Sequence, residues 1–198
     1  MIGASLLLIW ATPLIGQQAQ LEHKVKELFL HEHGVPNLKQ ELQQLGERSE
    51  VVRILIDLVA KHKYARESTL EALYLAGATD GLGELRAQEA NTILTRILLD
   101  MNVHENVRTL AARSLGKIDS QENEEALLKA LDPKIADYPF IRIEAAKALA
   151  QTGDPAALSA IERAAAAESD KYVKQQLAEA ASQLKRRIPT DRRVQPKR

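Results

Sequence analysis

The residues of this chain suited to acid, base or metal chemistry are few and scattered. His31-Glu32-His33 and His104-Glu105 set imidazole beside carboxylate, the donor types of a divalent metal site or an acid–base pair. His31 and His33 are two residues apart and point to different faces of any helix. His23, eight residues earlier, does not complete a matched ligand set, so these read as surface histidines near a helix end. The chain has no cysteine, which excludes disulfides, zinc–thiolate sites, iron–sulfur clusters and thiol catalysis. It carries no Gly-x-Ser-x-Gly elbow and no phosphate-binding loop. Gly77-Ala78-Thr79-Asp80-Gly81-Leu82-Gly83 fits neither a dinucleotide fingerprint nor a Walker motif, and its glycines predict a loop joining two helices. No catalytic residue, metal or cofactor is indicated, and no small-molecule ligand.

What the chain does have is charge that recurs with a period. Arg108 returns as Arg142, and each is followed seven residues later by a leucine, Leu115 or Leu149. Arg66 and Leu73 show the same offset at a wider interval ahead of Arg108, and Lys174 follows Arg142 at a slightly shorter one. In stacked repeats equal offsets form columns. Arg66, Arg108, Arg142 and Lys174 are thus expected to form a structural ladder, bonding to the turn of the same or next repeat near Asp137 and Asp170; the alternative is an anion-binding stripe. Five residues further on, Glu71, Arg113, Lys147 and Glu179 make a second column, away from the buried stripe and with Tyr74 beside it. This column is the candidate partner-binding surface, the alternative being a solvated face of mixed charge.

The elements that must hold these columns are helices. Of the 198 residues 45% are apolar but only 4% aromatic, an alanine- and leucine-rich composition that favours closely packed helices over a β-sandwich. Val107, Leu110, Ala111, Ser114, Leu115 and Ile118 keep one helix face, and Gly116 stands where that helix can end. Other helices are predicted over Leu21 to Phe29, around Leu38 to Leu45, over Val51 to His62, from Tyr64 to about Gly77, and over Gln88 to Asp100. Glu122 to Leu131 follows, then Ile141 to Asp154. Asp154-Pro155 reads as a cap that starts Ala156 to Ala167, and Tyr172 opens the last helix, which runs to Pro189. The expected organisation is a signal segment at 1–19, an N-terminal helical cap at 20–50, repeats at 51–187 and a basic tail at 188–198.

The sequences Val-Arg-x-x-Ala-Ala-x-x-Leu-Gly-x-Ile-Asp of Val107 to Asp119 and Ile-Arg-x-x-Ala-Ala-x-x-Leu-Ala-x-x-Gly-Asp of Ile141 to Asp154 resemble the HEAT-like repeats of the phycobilisome-lyase type. The resemblance covers roughly Val51 to Lys185. It implies an all-α fold, an α-solenoid wound as a right-handed superhelix of short helix pairs. Another HEAT-repeat family, deoxyhypusine hydroxylase, holds a di-iron centre with His-Glu pairs inside the inner helix, six and five residues ahead of the leucine that precedes glycine. Here those places hold Thr109-Leu110 and Ile143-Glu144, and only Glu144 coincides with a ligand position. The register argues against iron.

Ile2 to Ile15 is a mostly apolar run broken by Pro13, within an uncharged stretch that extends to Leu21. That run has the length of a signal-peptide core, and Gly16 and Ala19 offer cleavage points, although no positive residue precedes it. The expectation is an exported protein, periplasmic or extracellular, or else one anchored in a membrane by its N-terminus. Formal net charge is zero, yet Lys185 to Arg198 holds seven basic residues and one acid. That tail leaves contact with an anionic membrane open, and the absence of an interleaved aromatic residue argues against nucleic acid. The function expected is a non-enzymatic scaffold that binds another protein, with a HEAT-type lyase or metal-dependent hydroxylase subunit as the alternative.

Overall fold

Local capping decides where several helices begin. Thr69 Oγ1 accepts a hydrogen bond from the Ala72 amide at 3.2 Å, and Asp170 Oδ1 accepts one from Val173 at 2.9 Å, each satisfying an amide that a first helical turn leaves unpaired. His104 Nδ1 plays the same part for Asn106 at 3.2 Å, so this histidine serves as a cap. The computed structural model describes residues 6–30, 35–66, 69–118, 120–152 and 155–188. His31-Glu32-His33, the Asp154 cap and the tail beyond Ile188 lie outside them.

Ten α-helices are present among the described residues: α1 (Leu6–Leu28), α2 (Leu38–Leu45), α3 (Arg48–His62), α4 (Leu70–Glu84), α5 (Asn91–Leu99), α6 (Glu105–Ile118), α7 (Glu124–Lys129), α8 (Pro139–Thr152), α9 (Pro155–Ala167) and α10 (Lys171–Arg187). They pair as α3 with α4, α5 with α6, α7 with α8 and α9 with α10. The second members pack side by side in the order α4, α6, α8, α10, and the first members form an outer row. This is an α-solenoid of helix pairs. One continuous apolar core runs from Val25 and Phe29 through Leu82, Leu115 and Leu149 to Leu184, because no pair covers its own apolar face. α1 and α2 pack on the first pair, α2 against α4 and α1 against α3. α1 is unbroken from Leu6 through the expected cleavage points. No helix among the described residues is long and apolar enough to cross a membrane.

The stretch Gly77 to Gly83 is not a loop; it is the second half of α4. Its glycines mark places where other elements press on the helix. A Cβ on Gly77 would collide with the Phe29 ring, and one on Gly83 would stand 2.7 Å from Cα of Ser114 in α6. α4 runs on to Glu84, and just beyond it Arg86 takes the left-handed conformation with φ 48°. The Ala87 amide donates to Leu82 O and the Arg86 amide to Gly83 O, both at 3.0 Å, a Schellman closure built without glycine.

A second correction follows at the start of α4. The helix opens at Leu70 behind Thr69, so Arg66 lies ahead of it and is exposed. The buried positions Leu75, Ala78, Thr79, Gly81, Leu82 and Gly83 match Arg108, Ala111, Ala112, Ser114, Leu115 and Gly116 one for one at a constant offset. That offset differs by one from the interval between Arg108 and Arg142. The inter-helix contacts agree, since Gly83 meets Ser114 as Gly116 meets Ala148. The wide interval ahead of Arg108 came from aligning the wrong residue. Leu75, not Arg66, stands in the arginine's place.

Candidate protein-binding surface

Three columns run across the inner row, and each has a different chemistry. The first is Leu75, Arg108, Arg142 and Lys174. Arg108 is 2% exposed; its Nε donates to Leu98 O at 3.0 Å, one Nη to Ile135 O and the other to Asp137 Oδ1 at 3.3 Å. Arg142, also buried, donates to Ala136 O at 2.7 Å and to Glu168 Oε2 at 2.6 Å. Each arginine thus ties its own helix to the loop leading into the next inner helix or pair. The acid nearest Arg142 is Glu168, where Asp170 was the sequence expectation. Asp170 instead caps α10, and its amide, with burial opposing and Arg142 assisting, holds the Glu168 carboxyl below its ordinary range.

Lys174 occupies the same register position and is exposed, as are Ala178 and Ser182, the equivalents of Ala112 and Gly116. Those positions face the following inner helix in α6 and α8, and among the described residues α10 has none beyond it. The ladder therefore has two rungs, Arg108 and Arg142. Arg66 and Lys174 are not part of it.

The second column is Asp80, Arg113, Lys147 and Glu179. Asp80 takes the place expected for Glu71, which lies exposed in the first turn of α4. Glu144 on α8 accepts from both cations: Arg113 Nε reaches Oε2 at 3.1 Å and Lys147 Nζ reaches Oε1 at 3.1 Å. Lys117 on α6 bridges back to α4, 3.0 Å from Asp80 and 2.5 Å from Glu84. Burial works against the Lys117 charge, but hydrogen bonding to Glu84 and the field of Asp80 outweigh it and raise its pKa. The Arg113 and Lys117 pairs bridge neighbouring helices across a half-exposed face, and the Lys147 pair lies within α8. Glu179, on the last helix, is exposed.

Tyr74 does not stand beside this column. It is half-buried, with its ring centroid 6.1 Å from that of His62 on α3 and 5.6 Å from Lys26 Nζ on α1. The place equivalent to Tyr74 on α6 is Val107, a core residue.

The third column, two positions ahead of the first, was missed from sequence. It comprises Leu73, Asn106, Phe140 and Tyr172, and its three large apolar members are 49%, 45% and 56% exposed. Tyr138, Phe140 and Tyr172 form a run of tilted rings, with successive centroids 5.5 and 6.5 Å apart. Single exposed apolar residues are ordinary on protein surfaces, whereas a contiguous run is a feature of interaction sites. The signal was available, because reading two residues back from Arg108, Arg142 and Lys174 gives Asn106, Phe140 and Tyr172.

No group of three or more histidine, aspartate or glutamate residues able to hold a metal ion occurs among the described residues. Glu144, which coincides with a di-iron ligand position, is engaged by Arg113 and Lys147.

A sequence profile of HEAT repeats matches residues 94–182, from within α5 to within α10. The matched stretch contains both arginine rungs, the shared Glu144 and the ring run. The comparison with curated proteins found no match. Between Leu94 and Ser182 the chain is similar to HEAT repeats, in keeping with the stacked helix pairs of the structure.

Proposed function

We propose that this protein is a non-enzymatic scaffold that binds another protein along its inner helix row, in the manner of short HEAT repeats of the phycobilisome-lyase type. The observation that carries the reading is the third column. Leu73, Phe140 and Tyr172 are large, apolar and about half exposed, on helices whose other apolar positions are mostly covered. Aromatic anchors beside charged pairs are the composition of binding hot spots. The charged column next to it supplies the polar rim.

The test is capture of a partner from the native source by the wild-type protein and by the double variant Phe140→Ser, Tyr172→Ser. Loss of the two anchors, at about 2 kcal/mol or more for the pair together, is expected to weaken capture at least about thirtyfold. Both residues are exposed, so the helical circular dichroism should be unchanged. Undiminished capture of the same partner by the folded double variant would remove the inner row from consideration.

Export forms part of the proposal and rests on the apolar run Ile2 to Ile15 ahead of Gly16 and Ala19. Trp10 is the sole tryptophan, so protein isolated from its native source is expected to lack tryptophan fluorescence. Its presence would contradict cleavage.

A further inference from the structure

The α6–α8 seam of this face has two ends of different chemistry. At the N-terminal end lies a depression of about 360 Å³, its apolar lining supplied by Leu110, Tyr138 and Phe140. At the other lies one of about 270 Å³ lined by Lys117, Lys147 and Gln151 over Gly116 and Ala148. The two share Arg113 and Glu144. A Cβ on Gly116 would stand 2.6 Å from Cβ of Ala148, so the two helices touch at the floor of this depression.

Three cations meet three carboxylates there, but they are unevenly shared. Lys117 is matched by Asp80 and Glu84, but Arg113 and Lys147 share the single carboxylate of Glu144. Arg113 is bonded through Nε, and its side chain and that of Lys147 are each 45% exposed. A guanidinium bound at one nitrogen still presents donors in the planar fork that matches a carboxylate.

We propose that this groove takes an extended segment of a partner protein bearing an apolar, preferably aromatic, side chain and an acidic side chain about three residues apart. The inference rests on the reading of the inner row as a binding face and adds what that face selects. Its spacing comes from the helices. Phe140 and Lys147 are seven residues apart on α8, as are Asn106 and Arg113 on α6, a rise of about 10 Å. A segment in the extended polyproline II conformation, at three residues per turn and about 3.1 Å per residue, covers that distance in about three residues and turns both side chains to the groove, whereas in a β-strand they would face opposite ways. The apolar side chain enters beside Phe140 and Tyr138, and the carboxylate lies between Arg113 and Lys147.

The probe is a set of fluorescent decapeptide mixtures with phenylalanine at one fixed position and glutamate, glutamine or lysine fixed two, three or four residues away, all other positions uncharged. Anisotropy against the full chain is expected to rank glutamate at three residues first, about tenfold ahead of glutamine, as one charge-assisted contact is worth. Raising the salt concentration should shrink that margin. The double variant Arg113→Gln, Lys147→Gln should lose it altogether. Glu144→Gln removes the competing carboxylate and is expected to tighten the glutamate mixtures, a gain that a merely structural Glu144 would not produce. Equal binding of glutamate and glutamine mixtures, a preference for lysine, or no binding by any mixture would overturn the proposal. So would self-association of the protein that Phe140→Ser abolishes, since a second copy would then be the occupant. If capture of the native partner still depends on Phe140 and Tyr172 while the acid preference is absent, only this inference falls; if capture is also indifferent to them, both readings fall.

Discussion

Arg108→Ala is expected to lower the unfolding free energy by about 3 kcal/mol or more, while Lys174→Ala, at the equivalent position of the last helix, changes it by less than about 0.5 kcal/mol. The two residues share a register, so sequence alone gives them one role. What separates them is what surrounds them. Truncating Arg108 strands Leu98 O, inside the core, and Ile135 O at the entry to α8, and it opens a void where the largest buried side chain stood. Each stranded carbonyl costs about 1–3 kcal/mol, and the lost packing adds to that. Asp137 adds little, because its side chain is 71% exposed and returns to water. Lys174 is exposed and leaves nothing buried behind it.

Arg108→Lys sharpens the point. It keeps the charge, but an ammonium cannot reproduce a planar fork spread over three acceptors, one on α5 and two in the loop ahead of α8, so most of the loss should remain. Urea denaturation followed by circular dichroism, with hydrogen exchange at α6 and α8 to locate the loosening, measures all three variants. If Arg108→Ala and Lys174→Ala were equally mild, the buried arginine would not be a structural rung.

The same contrast shows how much was legible in the sequence. Periodicity found the inner helices α6, α8 and α10 because their apolar faces recur at a nearly constant interval. It placed Arg113 and Lys147 on one column, and the structure sets both against Glu144. It failed at α4 for a physical reason. Glycine and threonine are weak helix formers in isolation, and Gly77, Gly81 and Gly83 count as breakers in any local reading. Their helical state is set by Phe29, Leu42 and Ser114, which are distant in sequence and need a surface without side chains. With α4 misread, Arg66 and Glu71 were aligned in place of Leu75 and Asp80, and Tyr74 was put on the wrong side. The ring column escaped for a different reason. Leu73, Phe140 and Tyr172 look like core residues by type, and only their exposure marks them as a surface.

Gly83→Ala tests the corrected reading of α4 through its sign. In a loop the substitution would be near neutral, and in an unobstructed helix it would stabilise by up to about 1 kcal/mol, since alanine is the better helix former. In the structure the new methyl would lie 2.5 Å from Oγ, 2.7 Å from Cβ and 2.7 Å from Cα of Ser114. The hydroxyl could rotate away, but Cα is backbone, so α4 and α6 must separate, and the core around Leu82 and Leu115 must loosen with them. Such overpacking costs about 1–3 kcal/mol, and an obstructing backbone atom puts Gly83→Ala at the upper end. The Ser114 Oγ bond to Thr79 O, 2.9 Å long and buried, lies in the same contact and would be strained as well. Ser114→Ala is not expected to rescue the variant, because Cα and Cβ stay where they are. Gly16→Ala, made like Gly83→Ala in the full, uncleaved chain, is the matched control: Gly16 lies on α1, a Cβ there meets nothing within 4 Å, and the change is expected to stabilise the helix. Opposite signs for the two glycines in one denaturation series are the expected result. A Gly83→Ala protein as stable as the wild type would mean that α4 and α6 do not touch at this point, and the register linking Leu75 to Arg108 would fall with that contact.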